Sequence, residues 1–180
     1  FHIEKTADVV VDSLTAEISG IPSTMELTTG LILAQKTYKL LFRPTYAALP
    51  SAADSASEET LRCEASVNIP GIVRSHTEDM VTGPGILQIA IYTHYDYEEE
   101  GTQRKAAKVF HAGINLYHTL KERKSLQWDE EENGYRQASR SITVEIGSPL
   151  NIDKDGILNG GSTSTGLDQW IPGETFEIEV

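Results

Sequence analysis

Apolar and polar residues alternate one by one along most of this chain, and a period of two is the mark of half-buried β-strands. Leu14, Ala16 and Ile18 alternate with Thr15, Glu17 and Ser19 before Gly20-Ile21-Pro22, which reads as a turn. Tyr38, Leu40 and Phe42 alternate with Lys39, Leu41 and Arg43, and Pro44 weakens any continuation. The cleanest case sets Leu61, Cys63, Ala65, Val67 and Ile69 against Arg62, Glu64, Ser66 and Asn68, with Pro70-Gly71 as its stop. Gly83-Pro84-Gly85 launches Leu87, Ile89, Ile91 and Thr93 against Gln88, Ala90, Tyr92 and His94. Ile142, Val144 and Ile146 oppose Ser141, Thr143 and Glu145 ahead of Gly147-Ser148-Pro149, and Phe176, Ile178 and Val180 close the set.

Strands with one apolar and one polar face belong to antiparallel sheets packed on one side and wet on the other. Two such sheets face to face predict an all-β antiparallel sandwich with at most one short helix. Gln103 to Lys124 is ambiguous, because Ala106, Val109, Phe110, Gly113, Ile114, Tyr117 and Leu120 fall at helical spacing. Gly113 in mid-helix would cost about 1 kcal/mol against Ala, and the surroundings are β. The expectation is a strand through about Phe110, then a short helix or turn. Ala47 to Glu59 reads as a mobile loop, Glu122 to Gln137 as a charged excursion, and Asn159 to Gly166 as a flexible connector.

Charge narrows the partners. The chain carries 27 Asp+Glu against 15 Lys+Arg, a net charge of −12. Nucleic-acid binding needs clustered cations, and the same sign disfavours anionic lipid. Much of the excess falls on polar strand faces (Glu17, Glu64, Glu145, Glu177, Glu179) and in Asp129 to Glu132, as on a solvated surface. A chain of 180 residues suits a single domain spanning 1–180. The lone Cys63 excludes an intrachain disulfide and reads as a small buried hydrophobe. No apolar run approaches the roughly 20 residues of a membrane span, and no signal peptide is visible. Phe1 in place of Met suggests a portion of a longer polypeptide.

Candidate chemistry is sparse. Asn151-Ile152-Asp153-Lys154-Asp155-Gly156 approximates a calcium loop, with oxygen ligands at alternate positions and Gly at the sixth. The twelfth position is Ser162 rather than a bidentate Glu, so an Asx turn without an ion is the plainer reading. His2, His76, His94, His111 and His118 lack metal-ligand pairing. Ser75-His76 adjacency does not make a catalytic triad. Tyr92, His94, Tyr95, Asp96 and Tyr97 form an aromatic-polar cluster that could stack on a sugar. Alternation splits it, with Tyr92 and His94 on one face and Tyr95 and Tyr97 on the other, and cross-strand packing is the commoner use. No catalytic, cofactor-binding or metal-ligating residue is assigned, and no enzyme activity is expected.

Several segments resemble one family. Leu14-Thr-Ala-Glu-Ile-Ser-Gly-Ile-Pro22 with Leu27-Thr-Thr-Gly30 is similar to the opening strand and decorated turn of a Bacteroidales surface domain. Leu87-Gln-Ile-Ala-Ile-Tyr-Thr93 and Ser141-Ile-Thr-Val-Glu-Ile146 resemble its central strands. Gly166-Leu-Asp-Gln-Trp170, then Glu174-Thr-Phe-Glu-Ile-Glu-Val180, resembles its close. The family is the fimbrillin and fimbrial-anchor lipoproteins. The likeness covers most of 8–46, 60–116 and 139–180, as pattern and order rather than strict motif.

The resemblance implies a transthyretin-like sandwich, exported and lipid-anchored at the outer-membrane surface. It implies an anchor or accessory subunit of fimbriae, binding other fimbrial subunits by β-strand addition and acting in adhesion to host or bacterial surfaces. It implies membrane contact only through an upstream lipid; no cofactor is expected, and the charge already argues against nucleic acid. Two departures shape this expectation. Cys63 lies mid-strand and cannot be the lipid-bearing residue, and the family has two sandwiches where this chain has room for one. The chain therefore reads as the C-terminal sandwich. The first arginine is Arg43, so the opening strand lacks the Arg cleavage site of fimbrillin proper. A carbohydrate-binding sandwich module is the alternative.

Overall fold

The computed structural model describes residues 1–26, 28, 32–50, 58–75, 82–123, 126–129, 134–137, 143–158 and 170–178. In chain order the elements are β1 (His2–Thr6), β2 (Val9–Met25), β3 (Ile32–Phe42), β4 (Thr45–Ala48), β5 (Glu58–Glu64), β6 (Leu87–Glu99) and β7 (Thr102–Ile114). Then follow α1 (Leu116–Glu122), β8 (Leu126–Asp129), β9 (Gly134–Gln137), β10 (Leu150–Ile152) and β11 (Ile171–Ile178). They form an all-β sandwich with one short helix, as the alternation predicts.

Among the described residues one sheet has four strands in the order β10-β1-β5-β4, and the other has five in the order β11-β7-β6-β2-β3. Neighbours are antiparallel except for the β1–β10 pair. A separate hairpin joins β8 to β9. Inward residues of both sheets make one buried cluster: Ile3, Leu61 and Leu150 from the smaller sheet meet Leu14, Ile91 and Phe110 from the larger. Burying each such side chain contributes about 1.5–3 kcal/mol. Trp170 is 2% exposed, donates from Nε1 to the Ser148 carbonyl at 3.2 Å, and receives the Phe1 ring edge-on at 5.3 Å.

Gly20-Ile21-Pro22 is not a turn. β2 runs through it to Met25, and register shifts after Ile18 and after Pro22 absorb the irregularity. Gly20 sits at φ +74°, where a Cβ would lie 2.5 Å from the Gly85 nitrogen. Ser19 fixes the same spot: its amide donates to Ile86 O (2.9 Å), its carbonyl accepts from Gly85 N (3.0 Å), and its hydroxyl donates to Gly83 O (2.5 Å). Gly83-Pro84-Gly85 thus launches β6 from a seat made by the β2 bulge.

Other boundaries also move. β5 ends at Glu64, so Ala65 to Ile69 is not a strand, although Val67 and Ile69 still pack against the core. Its antiparallel partners run out there: β1 pairs His2 with Arg62, and β4 pairs Thr45 with Glu64. Thr143 to Gly147 keeps the alternation in burial, with Ile146 inside, but makes no ladder; Ser141 and Ile142 lie outside the described residues. β7 continues as a strand to Ile114, four residues past the expected break, and the helix follows. Asn115 caps it, accepting at its side-chain oxygen from His118 N at 3.0 Å. Of the Ala47–Glu59 segment expected as a loop, Ala47 and Ala48 belong to β4 and Glu58 and Glu59 to β5, while residues 51–57 lie outside the described residues. The charged 122–137 excursion contains the β8–β9 hairpin. The connector at 159–166 lies outside the described residues.

Candidate functional site

The calcium-like segment folds as a capped turn. Asp153 Oδ1 accepts from Asp155 N at 2.7 Å and Gly156 N at 2.8 Å, so that oxygen serves the backbone. Asp153 N donates to Gly156 O, Leu158 N donates to Asn151 O, and Ile152 bridges Ile157 to close a small hairpin. Gly156 is not among the glycines at positive φ, and a Cβ there would meet open space, so this turn does not require glycine as the sixth position of a calcium loop does. Among the described residues no cluster of three His, Cys, Asp or Glu is placed to hold a metal ion. Ser162 lies outside the described residues.

Cys63 is 1% exposed on the inner face of β5, and burial pushes its thiol up to about 12, opposed in part by the nearby Phe1 ammonium. A thiol held protonated in the core is no nucleophile. Ser75 is buried too, with its hydroxyl accepting from Asn115 Nδ2 at 3.0 Å. That bond ties the segment before β6 to the helix cap. His76 lies outside the described residues.

The tyrosine cluster splits as the alternation predicts. Tyr95 and Tyr97 share one face of β6 with ring centroids 6.2 Å apart, and the Lys108 ammonium lies 5.4 Å from the Tyr95 ring centre. Lys108 is buried and donates to Lys154 O at 2.6 Å, which docks the Asp153 turn beside Tyr95. Tyr92 and His94 point to the other, outer face.

On that outer face the register assembles residues distant in the sequence. Tyr92 pairs with Val109, and Val109 with Phe176, so the three side chains form a row across β6, β7 and β11. Val109 is only 7% exposed although it points away from the core, while Tyr92 is 37% and Phe176 51% exposed. Phe176 therefore faces outward, not into the core as the alternation of the terminal segment suggests. His111 meets its ring edge-on at 5.6 Å. His94 is bound by Asp12, Nδ1 lying 2.8 Å from Oδ1 and 2.9 Å from Oδ2. Asp12 stands at the bulge between Val11 and Ser13, and no periodicity in the sequence could pair it with a residue 82 positions away.

The second feature of the five-stranded sheet is its pair of ends. Among the described residues no strand pairs with the outer side of β3 or of β11. Lys36, Thr37, Tyr38, Lys39 and Leu41 of β3 are exposed, and so are Ile171, Gly173, Thr175 and Phe176 of β11. The β8–β9 hairpin touches β3 without joining its ladder. Unpaired backbone donors and acceptors along such an edge accept another strand. Edges of the four-stranded sheet are shorter, with four residues in β4 and three in β10.

Set beside protein-family models, curated proteins and solved structures, the chain matches none of them. The geometry above is therefore what bears on function.

Proposed function

We propose that this chain is a non-catalytic structural domain of a bacterial surface fibre, an anchor or accessory fimbrial subunit that docks its neighbours by β-strand addition. The observation that carries the reading is the five-stranded sheet with both ends open among the described residues, one of them the eleven-residue β3. Backbone hydrogen bonds along such an edge supply affinity, and alternate side chains supply specificity. In this reading the sandwich is transthyretin-like, the chain is the C-terminal part of an exported, lipid-anchored protein, and its place is the outer-membrane surface. The test is fractionation of producing cells: the chain should be recovered with fibres sheared from the surface. Recovery in the cytosol overturns the reading.

A second reading, a carbohydrate-binding module, is favoured by the outer-face row. Tyr92 and Phe176 flank Val109 with His111 at the edge, and exposed aromatic rings of this kind offer a stacking surface for a sugar face. A glycan-array signal that disappears with Tyr92→Ala would favour this reading over the first. A blank array favours the fibre subunit.

A further inference from the structure

β1 puts a lysine on the inside of the sandwich. Ile3 and Lys5 are buried while Glu4 between them is exposed, and Lys5 is only 6% exposed. Its register partner on β5 is Glu59, whose Oε2 lies 2.8 Å from the Lys5 ammonium and whose side chain is 53% exposed. Lysine is rarely buried unless well paired, because its ammonium brings three donors. Glu59 is the one side chain that binds this ammonium among the described residues, which leaves donors for an incoming acceptor. The pair lines a cavity of about 230 Å³, whose other walls include Val10, Val11, Tyr46 and Leu61. Val11 and Leu61, one from each sheet, are buried; Val10, Tyr46 and Glu59 are exposed at its mouth. The Tyr46 hydroxyl already donates to the Val11 and Asp12 carbonyls, so Tyr46 offers the cavity a ring rather than a proton.

From this arrangement we propose that the cavity binds a small monocarboxylate, with its carboxylate on Lys5 and its short apolar body against Val11, Leu61 and the Tyr46 ring. Three features select that class. The volume lies below the roughly 300–1,000 Å³ of sites for drug-sized ligands, so the occupant is small. Aliphatic walls and one ring suit an apolar body. A single cation suits a single negative charge, whereas a phosphate is better served by several cations or a row of backbone amides. Glu59 is the internal competitor: half-exposed at the mouth, it can turn to solvent and yield the ammonium to the ligand. A buried charge that loses its partner is costly, so an arriving carboxylate is worth most where Glu59 is absent. The proposal goes beyond the reading of the chain as a fibre subunit, and its failure leaves that reading untouched.

The experiment titrates the full chain with butyrate at constant ionic strength and follows the methyl resonances of Val10, Val11 and Leu61. A saturable shift is expected, with a matching rise in melting temperature. Butyramide, equal in size and uncharged, and inorganic phosphate should each bind about tenfold more weakly or worse. Lys5→Met should lose the butyrate response by a similar factor, with circular dichroism checking the fold. Glu59→Gln should melt lower than the wild type yet bind butyrate more tightly, because it removes the competing carboxylate. Should Lys5→Met fail to fold, Val10→Phe narrows the mouth while keeping the ion pair, and it should lose the response as well. The proposal is overturned by a wild type that does not respond, by butyramide or phosphate binding as well as butyrate, or by a response that survives Lys5→Met or, where that variant does not fold, Val10→Phe. Weaker binding in Glu59→Gln overturns it too, since Glu59 would then be part of the site rather than its competitor.

Discussion

Tyr46, on the outermost strand of the four-stranded sheet, reaches across to the five-stranded sheet and donates its hydroxyl proton to Val11 O at 3.0 Å, shared with Asp12 O at 3.1 Å. These are the carbonyls at the β2 bulge, where Asp12 also turns its carboxylate to His94. One phenol thus ties the edge of one sheet to the irregular point of the other. Tyr46→Phe keeps the ring and removes the bond. The expected loss is about 1 kcal/mol, read as a lower urea midpoint at unchanged slope. An unchanged midpoint would mean that water replaces the hydroxyl without cost.

Gly20 and Gly101 both have positive φ, +74° and +76°, but only Gly20 is crowded. A side chain at Gly101 meets nothing within 4 Å, whereas at Gly20 it would strike Gly85 N and Pro84 Cβ at 2.5 and 2.7 Å. Gly101→Ala should therefore cost only the backbone strain, about 1–2 kcal/mol. Gly20→Ala adds a backbone clash that no rotamer relieves, and should cost clearly more. Equal midpoints for the two variants in chemical denaturation would contradict the seat that β2 makes for Gly83-Pro84-Gly85.

The contrast between these glycines marks where the sequence stops being readable. The inner faces of β2 and β6 are legible, because Leu14, Ala16 and Ile18 and Leu87, Ile89 and Ile91 alternate over lengths that both neighbours pair. Ala65 to Ile69 shows the same alternation and is not a strand, since a ladder needs partners and β4 begins only at Thr45, opposite Glu64. Gly20-Ile21-Pro22 has turn composition, yet a bulge uses the same residue types. The candidate surface is less legible still. Tyr92 and His94 are visible as one face of a strand, but Asp12, His111 and Phe176 join them only through register. Open edges depend on strand order, which periodicity does not encode.

Burial holds the Cys63 thiol near 12, above its ordinary 9.0, so the folded chain keeps a proton there that the unfolded chain gives up. The folded state binds more protons between those values, and stability from this group is whole below about pH 9 and is lost as pH rises toward 12. Denaturation midpoints from pH 8 upward should fall more steeply for the wild type than for Cys63→Ala. In the native state a thiol-specific reagent should fail to label Cys63, and labelling should appear only with unfolding. Prompt labelling of folded protein would place the sulfur outside the core.

Asp153 gives the sharpest separation between a turn and an ion site. As a turn cap, its Oδ1 holds two backbone amides, at 2.7 and 2.8 Å, whatever the cation content of the buffer. Asp153→Ala should cost about 1 kcal/mol with or without calcium, the usual value of such a cap. Wild-type melting curves with excess calcium and with a chelator should superimpose. A ligand that binds only the folded state raises the melting temperature by mass action, so a bound ion would separate the curves and Asp153→Ala would bring them back together. Superimposed curves combined with a lower midpoint for the variant assign this carboxylate to the hairpin that seats Lys108 beside Tyr95. Separated curves assign it to an ion, and the turn reading fails.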